Sequence, residues 1–379
     1  MKKRLFTPGP TPVPEDVLLE MARPIIHHRT AEFMKIAGEA EEGLKYLFQT
    51  KNPVFILASS GTGAMEAAVS NVLSPGEKAL VIKGGKFGER FEEICSSYGI
   101  AVVPLDVEWG KAVKPELVEK ILTQEKNIKA VFTTLCETST GVLTDIKSIG
   151  RIIQKFSDTL LVVDAVSSLG AISCKTDEWN LDMVITGSQK ALMLPPGLSF
   201  LSVSEKAWGK IENSKLPKYY LDLKKYRKSL EKSDFPFTPP VSLILALKKS
   251  LDSIKEEGIE NIIKRHKILA EATRAAVKAL GLELLAEKPA DSLTAVKVPA
   301  GIDGVELTKR LKEQYGVNFA GGQDKLKGKI FRIAHLGYFD KLDIVLAIGA
   351  LEMALSELGY KFELGAGIKA AEGVLLKKD

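Results

Sequence analysis

Three short stretches of the chain carry residue types that could do chemistry. The first is Ser59-Ser60-Gly61-Thr62-Gly63, between an apolar run and a helical pattern that starts near Ala64. A glycine-rich turn feeding a helix start offers free backbone N–H groups and the positive dipole end, which suits a phosphate. The same turn would also serve as a tight strand–helix connection with an N-cap. Its spacing is neither GxGxxG nor GxxxxGK[ST], so it does not read as a dinucleotide or P-loop site. The second stretch is Leu161-Val162-Val163-Asp164-Ala165. Asp164 ends an apolar run, at the edge where open α/β sheets hold their ligands. An acid partly removed from water there needs a positive partner. A helix N-cap and a metal ligand are its other uses, and no nearby second acid or histidine supports the metal. The third stretch is Thr186-Gly187-Ser188-Gln189-Lys190-Ala191, followed by Leu194-Pro195-Pro196-Gly197. A buried lysine sheds its proton more easily and attacks carbonyls. In so lysine-rich a chain, an ordinary exposed lysine is the alternative.

Taken together, a phosphate cradle, a lone acid at a strand end and a lysine beyond it are what pyridoxal 5′-phosphate requires. The phosphate anchors the cofactor, the acid keeps the pyridine nitrogen protonated, and the lysine forms the Schiff base.

The elements that would position these groups follow from the residue pattern. Thr7-Pro8-Gly9-Pro10-Thr11-Pro12-Val13-Pro14 cannot be helical and reads as an extended arm. A helix starts at Glu15, and a longer one covers 30–49 behind an N-cap at Thr30. Seven apolar runs then recur: Val54–Ala58, Ala79–Ile82, Ala101–Leu105, Ala130–Leu135, Leu160–Val163, Met183–Thr186 and Leu198–Val203. Helical stretches at Ala64–Leu73, Arg90–Ser97, Pro115–Thr123 and Ile146–Phe156 separate the first five. That alternation predicts a mostly parallel sheet covered on both faces. The last two runs are closely spaced, so at least one is expected to pair antiparallel at an edge. Residues 205–240 read as basic and irregular. A helical pattern broken by Gly258 spans 241–280, and an α+β tail follows. The last dozen residues read as frayed. The expected division is an arm at 1–20, a large domain at 21–250 and a small C-terminal domain at 251–379.

Composition narrows the class. With 45% apolar and 27% charged residues over 379 positions, the chain is neither disordered nor fibrous. A net charge of +5 is too weak a bias for a nucleic-acid partner but fits an anionic small ligand. Cys95, Cys136 and Cys174 form no disulfide framework or zinc pattern, so no metal is expected. No secretory signal or membrane span is apparent, which predicts a cytoplasmic protein.

The quoted motifs, with Glu137-Thr138-Ser139-Thr140-Gly141, Val163 to Gly170 and Lys329-Ile330-Phe331-Arg332-Ile333, resemble the class V, fold-type I aminotransferases. The nearest branch is the alanine–glyoxylate and serine–glyoxylate (serine–pyruvate) enzymes, and the likeness runs in order over nearly the whole chain. It implies a mostly parallel seven-stranded sheet with a smaller α+β domain, and ping-pong transfer from alanine or serine to a 2-oxo acid such as glyoxylate or pyruvate. Lys190 would then be catalytic and bind the cofactor. Asp164 would face the pyridine nitrogen and Thr138 the phenolic oxygen or an adjacent ring atom. Ser60, Gly61, Thr62, Gln189 and, from a second subunit of a homodimer, Thr238 would hold the phosphate. Phe87 would stack on the ring, where relatives often carry tryptophan. Phe235 stands where some relatives have a tyrosine and cannot donate that residue's bond, so it falls outside the site. Arg332 would grip the substrate carboxylate, with Gly9 and His28 beside the substrate.

Two other chemistries use the same fold. An aspartate donor would need another cation, for which Arg29 and Lys86 are candidates. Cysteine desulfuration needs a nucleophilic cysteine in the C-terminal half, and none follows Cys174.

Overall fold

The computed structural model describes residues 1–377. The chain opens with strand β1 (Arg4–Phe6) and helices α1 (Glu15–Met21) and α2 (Ala31–Phe48). Strand β2 (Val54–Leu57), helix α3 (Gly61–Val72), strand β3 (Lys78–Lys83), helix α4 (Lys86–Ser97), strand β4 (Ala101–Asp106), helix α5 (Pro115–Gln124) and strand β5 (Ile128–Thr134) follow in alternation. A small hairpin, β6 (Cys136–Glu137) with β7 (Val142–Leu143), precedes α6 (Ile146–Ile153), β8 (Leu160–Asp164), β9 (Met183–Gly187) and β10 (Ser199–Val203). Next come α7 (Glu205–Ile211), α8 (Leu223–Leu230), α9 (Val241–Glu257) and α10 (Ile259–Ala279). The remainder is β11 (Leu293–Lys297), α11 (Gly304–Gln314), β12 (Val317–Gly321), β13 (Ile330–Ala334), α12 (Lys341–Glu357) and α13 (Ala366–Leu375).

The seven apolar runs form one sheet in the order β2-β10-β9-β8-β5-β3-β4. Strands β9, β8, β5, β3 and β4 are mutually parallel. Their side chains alternate between two cores. In β8, Leu161 and Val163 face α2, α5, α6 and α9, whereas Leu160 and Val162 face α3, α4, α7 and α8. Burial on both faces explains why these strands read as unbroken apolar runs. The connection from β9 to β10 contains no helix, so β10 returns antiparallel. It is an interior strand, not the expected edge, because β2 pairs along its other side.

A second sheet, β1-β12-β13-β11, packs against α10, α11, α12 and α13 over its own core. Here the N-terminal arm differs from a bare extension: Arg4–Phe6 lies parallel to Val317–Phe319. Thr30 caps α2 as the sequence suggests, accepting from the Phe33 N–H.

Two further expectations fail. Residues 205–240 contain α7 and α8, which are short and charged but bury Trp208, Leu223 and Tyr226. The last dozen residues are not frayed as far as they are described, since most belong to α13. That helix buries Ala371 and Leu375. Its start is capped by Glu352 of α12, whose carboxylate accepts from the N–H groups of Gly365 (2.7 Å), Gly367 (2.8 Å) and Ile368 (3.1 Å). Glu352→Ala would orphan these donors and lower stability by roughly 2–4 kcal/mol, visible as a lower thermal midpoint. An unchanged midpoint would contradict the cap.

Candidate active site

Lys190 lies just past the end of β9, in a loop braced on all sides. The Ser188 N–H donates to the Leu198 carbonyl at 2.9 Å, and the Ser188 hydroxyl to the Pro195 carbonyl at 2.7 Å. Met193 N–H donates to the Lys190 carbonyl at 3.0 Å. The arm adds two bonds: Thr11 N–H to the Gln189 carbonyl at 3.2 Å and the Thr11 hydroxyl to the Lys190 carbonyl at 3.0 Å. The lysine side chain is buried and its Nζ donates to the Pro8 carbonyl. Gly9 crosses it so closely that a Cβ there would stand 2.3 Å from Nζ. Only glycine lets the arm lie in this place. Burial pulls the Lys190 ammonium down to about 8; the charge of Asp164 partly offsets this, and that of Arg332 adds to it.

Asp164 is the last residue of β8, registered with Thr134 of β5 and Ile185 of β9. Its Oδ1 accepts from the Val166 N–H at 2.8 Å. Among the described residues no donor meets Oδ2. Burial pushes this carboxyl up to about 6; the Val166 N–H opposes that, Glu137 reinforces it, and Lys190 and Arg90 oppose it.

The glycine-rich turn opens α3 with Ser60 at its N-cap in extended conformation and no side-chain cap. The Gly61 and Thr62 N–H groups have no acceptor among the described residues. A Cβ on Gly61 would lie 2.8 Å from Val166 Cγ2, which places this turn beside the residues following Asp164. Arg90 donates to the Thr62 hydroxyl at 3.2 Å, and its guanidinium lies 4.8 Å from the centre of the half-buried Phe87 ring. Gln189 completes the group with a buried Oε1 that has no donor.

The hairpin brings Thr138 in. Its hydroxyl pairs with Ser167 Oγ at 2.5 Å, and its carbonyl accepts from Arg332 Nη1 at 2.9 Å. Arg332 sits in β13, flanked across the sheet by Ala295 and Ala320, whose small side chains leave room for it. Its Nε and Nη2 donate to the Gly321 carbonyl at 3.1 and 2.8 Å. No carboxylate pairs with it among the described residues, so it is a buried cation held by carbonyls alone.

Lys190, Asp164, Ser60, Gly61, Thr62, Gln189, Phe87, Thr138, Arg332 and Gly9 thus form one connected cluster at the C-terminal ends of the parallel strands. Thr238 and His28 are not joined to it within the chain. Thr238 is exposed beside Ala58. His28 is half-buried against His27, with ring centres 4.8 Å apart. Phe235, set aside earlier, packs on Phe33 at 6.0 Å. Sequence reasoning missed Glu137, Arg90 and Ser167 as individual contributors. The first and last lie inside quoted motifs, and Arg90 is one helical turn beyond Phe87 on α4. His266 and His335 are both fully buried.

Among the described residues no cluster of three or more His, Cys, Asp or Glu side chains could hold a metal ion, and no helix is long and apolar enough to cross a membrane. The class V aminotransferase family model matches residues 5–330. The chain is 48% identical to a soluble hydrogenase small subunit of Synechococcus sp., over 99% of this chain and 98% of that one. It is 40% identical to a serine–glyoxylate aminotransferase of Hyphomicrobium methylovorum (97% and 93%) and 38% identical to an L-aspartate–glyoxylate aminotransferase of Paracoccus denitrificans (97% and 95%). A solved ureidoglycine–glyoxylate aminotransferase from Bacillus subtilis superposes with a TM-score of 0.94 at 31% identity, over 100% of this chain and 99% of that one.

Because its folded value lies above the ordinary 3.8, Asp164 burdens the fold only when ionised. The native state of the cofactor-free protein therefore loses stability as pH climbs from 3.8 to about 6. Asp164→Asn should raise that protein's unfolding free energy at neutral pH by roughly 1–3 kcal/mol, and change it little in acid below the ordinary carboxylate range. Denaturant titrations at the two pH values measure this. Destabilisation at neutral pH would contradict it.

Proposed function

The chain belongs to the class V aminotransferases, and from that premise we propose that it moves an amino group from a small L-amino acid, alanine or serine, to glyoxylate or pyruvate, using pyridoxal 5′-phosphate. The observation that carries this reading is Lys190: a buried amine, pulled down to about 8, beside an aspartate with one unclaimed oxygen.

The residues present fit this cofactor. The uncapped Gly61 and Thr62 N–H groups, with Ser60 and Gln189, suit a phosphate. Asp164 Oδ2 suits a protonated ring nitrogen. Phe87, whose ring has Arg90 at 4.8 Å, would stack on the cofactor ring. Thr138 would reach the phenolic oxygen. When bound, the cofactor supplies the electron sink that makes the substrate Cα–H acidic.

The chain's own residues do the rest. Near pH 8 a substantial share of Lys190 is the neutral amine, so its Nζ can take the Cα proton and return it. Arg332 presents its fork to the substrate carboxylate while Gly321 and Thr138 fix its plane. The Pro8-Gly9 arm covers Lys190 and keeps water out.

Thr238 and His28 act, on this reading, across a homodimer, Thr238 at the phosphate and His28 at the substrate. Leu19 of α1 and Ile25, three residues before His28, are 69% and 73% exposed and offer apolar surface for the second copy. Three free, buried cysteines suit a cytoplasmic setting.

The distal carboxylate of an aspartate donor would need a cation. Arg29 is paired with Asp234 at 2.6 Å, and Lys86 with Glu89 and Asp324 at 2.8 and 3.2 Å. That occupancy supports a small uncharged donor. Burial pushes the thiols of Cys95, Cys136 and Cys174 up to about 12, 11 and 12, which argues against a thiolate nucleophile. The hydrogenase name belongs to the Synechococcus relative; the cluster around Lys190 supports amino-group transfer.

Single-turnover loss of the cofactor's visible absorbance tests the reading with alanine, serine, aspartate and glutamate in turn. Alanine or serine should react fastest, and Lys190→Ala should be colourless and inactive. Arg332→Ala should weaken donor binding roughly 10- to 100-fold while cofactor content is kept. Native protein that takes up no cofactor would remove the proposal.

A further inference from the structure

Helix α4 begins without a cap of its own. The backbone donors of its first turn, on Lys86, Phe87 and Gly88, are met instead by the loop of the β6–β7 hairpin. Lys86 N–H donates to Ser139 Oγ at 3.1 Å. Phe87 N–H reaches Glu137 Oε1 and Oε2 at 3.3 and 3.2 Å, and Gly88 N–H reaches Oε2 at 3.0 Å. Ser139 closes the arrangement, donating its N–H (3.2 Å) and hydroxyl (2.6 Å) to Glu137 Oε1. Glycine at position 85 is required for this approach, since a Cβ there would sit 2.3 Å from Ser139 Oγ.

Glu137 is 2% exposed. Burial raises its carboxyl, while the Ser139, Gly88 and Phe87 donors pull it back. The residue it anchors is Thr138, whose carbonyl holds Arg332. Glu137 forms no ion pair with Arg332 within 4 Å among the described residues, so it leaves the guanidinium fork free. Burial pulls Arg332 down to about 10, and Glu137 is the foremost charge opposing this.

Resting on the transaminase reading, we propose that Glu137 is a positioning residue for the substrate carboxylate. It locks the hairpin loop onto α4, fixes the Thr138 carbonyl and thereby aims Arg332, and its charge steadies the buried guanidinium without occupying it. Both Glu137 carboxylate oxygens are engaged by donors of α4 and Ser139, so its effect on the site runs through Thr138 and Arg332. A glutamate that merely capped a helix would affect every ligand alike; one that acts through Arg332 affects only ligands that carry a carboxylate.

Glu137→Gln keeps the shape but removes the charge and one acceptor oxygen. The cofactor-loaded native and variant proteins are compared with aminooxyacetate, which has a carboxylate, and methoxyamine, which has none, by the rate at which each abolishes the visible absorbance. The ratio of the two rates should fall roughly 10-fold in Glu137→Gln, in the same direction as in Arg332→Ala. Methoxyamine reactivity and cofactor content should stay within about twofold. Calorimetric titration of the cofactor-free proteins with oxamate, an unreactive isostere of glyoxylate, should show the same loss of affinity in Glu137→Gln. An unchanged ratio, or an equal fall for both reagents, would overturn the proposal. Should Glu137→Gln not fold, Ser139→Ala is measured the same way; a fall of roughly threefold supports the proposal and an unchanged ratio overturns it. Native protein without colour would sink the transaminase reading instead, and the oxamate titration would still decide on Glu137.

Discussion

Three charges are taken out of water together without closing into an ion pair. Lys190, Asp164 and Arg332 are 8%, 4% and 6% exposed, yet each retains hydrogen-bonding capacity that the chain leaves unused. Isolated buried charges are costly, and all three groups respond by shifting toward their neutral forms, Lys190 to about 8, Asp164 to about 6 and Arg332 to about 10. A fold tolerates such a cluster only if the surroundings over-determine its place. Here they do. The Lys190 loop is tied to β10, to its own turn and to the arm, and Asp164 ends a strand buried along its whole length. On the proposed reading, the capacity at Asp164 would serve a protonated ring nitrogen and that at Arg332 a carboxylate, with an anion at the α3 turn.

The β6–β7 hairpin is the joint between the two sheets. From one short loop, Glu137 fixes α4, Thr138 meets both Ser167 and Arg332, and Gly141 packs against Ala295 of β11, where a Cβ would lie 3.2 Å from the alanine's own. Through it, Arg332, a residue of the second sheet, is held in register with Asp164 and Lys190 of the first. The arm makes a similar link from the opposite direction, since β1 pairs with β12 and Thr11 bonds the Lys190 loop.

The large sheet was legible because each central strand is buried on both faces and so appears as a continuous apolar run. Asp164 stood out because a polar residue directly follows an apolar run; Lys190, four residues past its run, stood out only together with Asp164 and the glycine-rich turn. What stayed hidden depends on partners distant in sequence. The strand pairing of Arg4–Phe6 needs Val317–Phe319. Helix α13 takes its cap from Glu352, so local patterning around residues 365–375 understated it. Helices α7 and α8 are short and charged, and they hold through Trp208, Leu223 and Tyr226 against the sheet. Glu137 looked like part of a motif string, because a carboxylate capping another segment's helix leaves no spacing signal. The interior place of β10 turned on β2 returning to its far side, a long-range pairing that local runs do not encode.

The central claim is that Lys190, and no other amine of a lysine-rich chain, carries the cofactor over Asp164. Borohydride reduction of the protein loaded with pyridoxal 5′-phosphate, followed by peptide mass spectrometry, tests it most directly. The account predicts one stoichiometric label, on the peptide containing Lys190, and its loss in Lys190→Ala. A label spread over surface lysines, or confined to a different one, would contradict it.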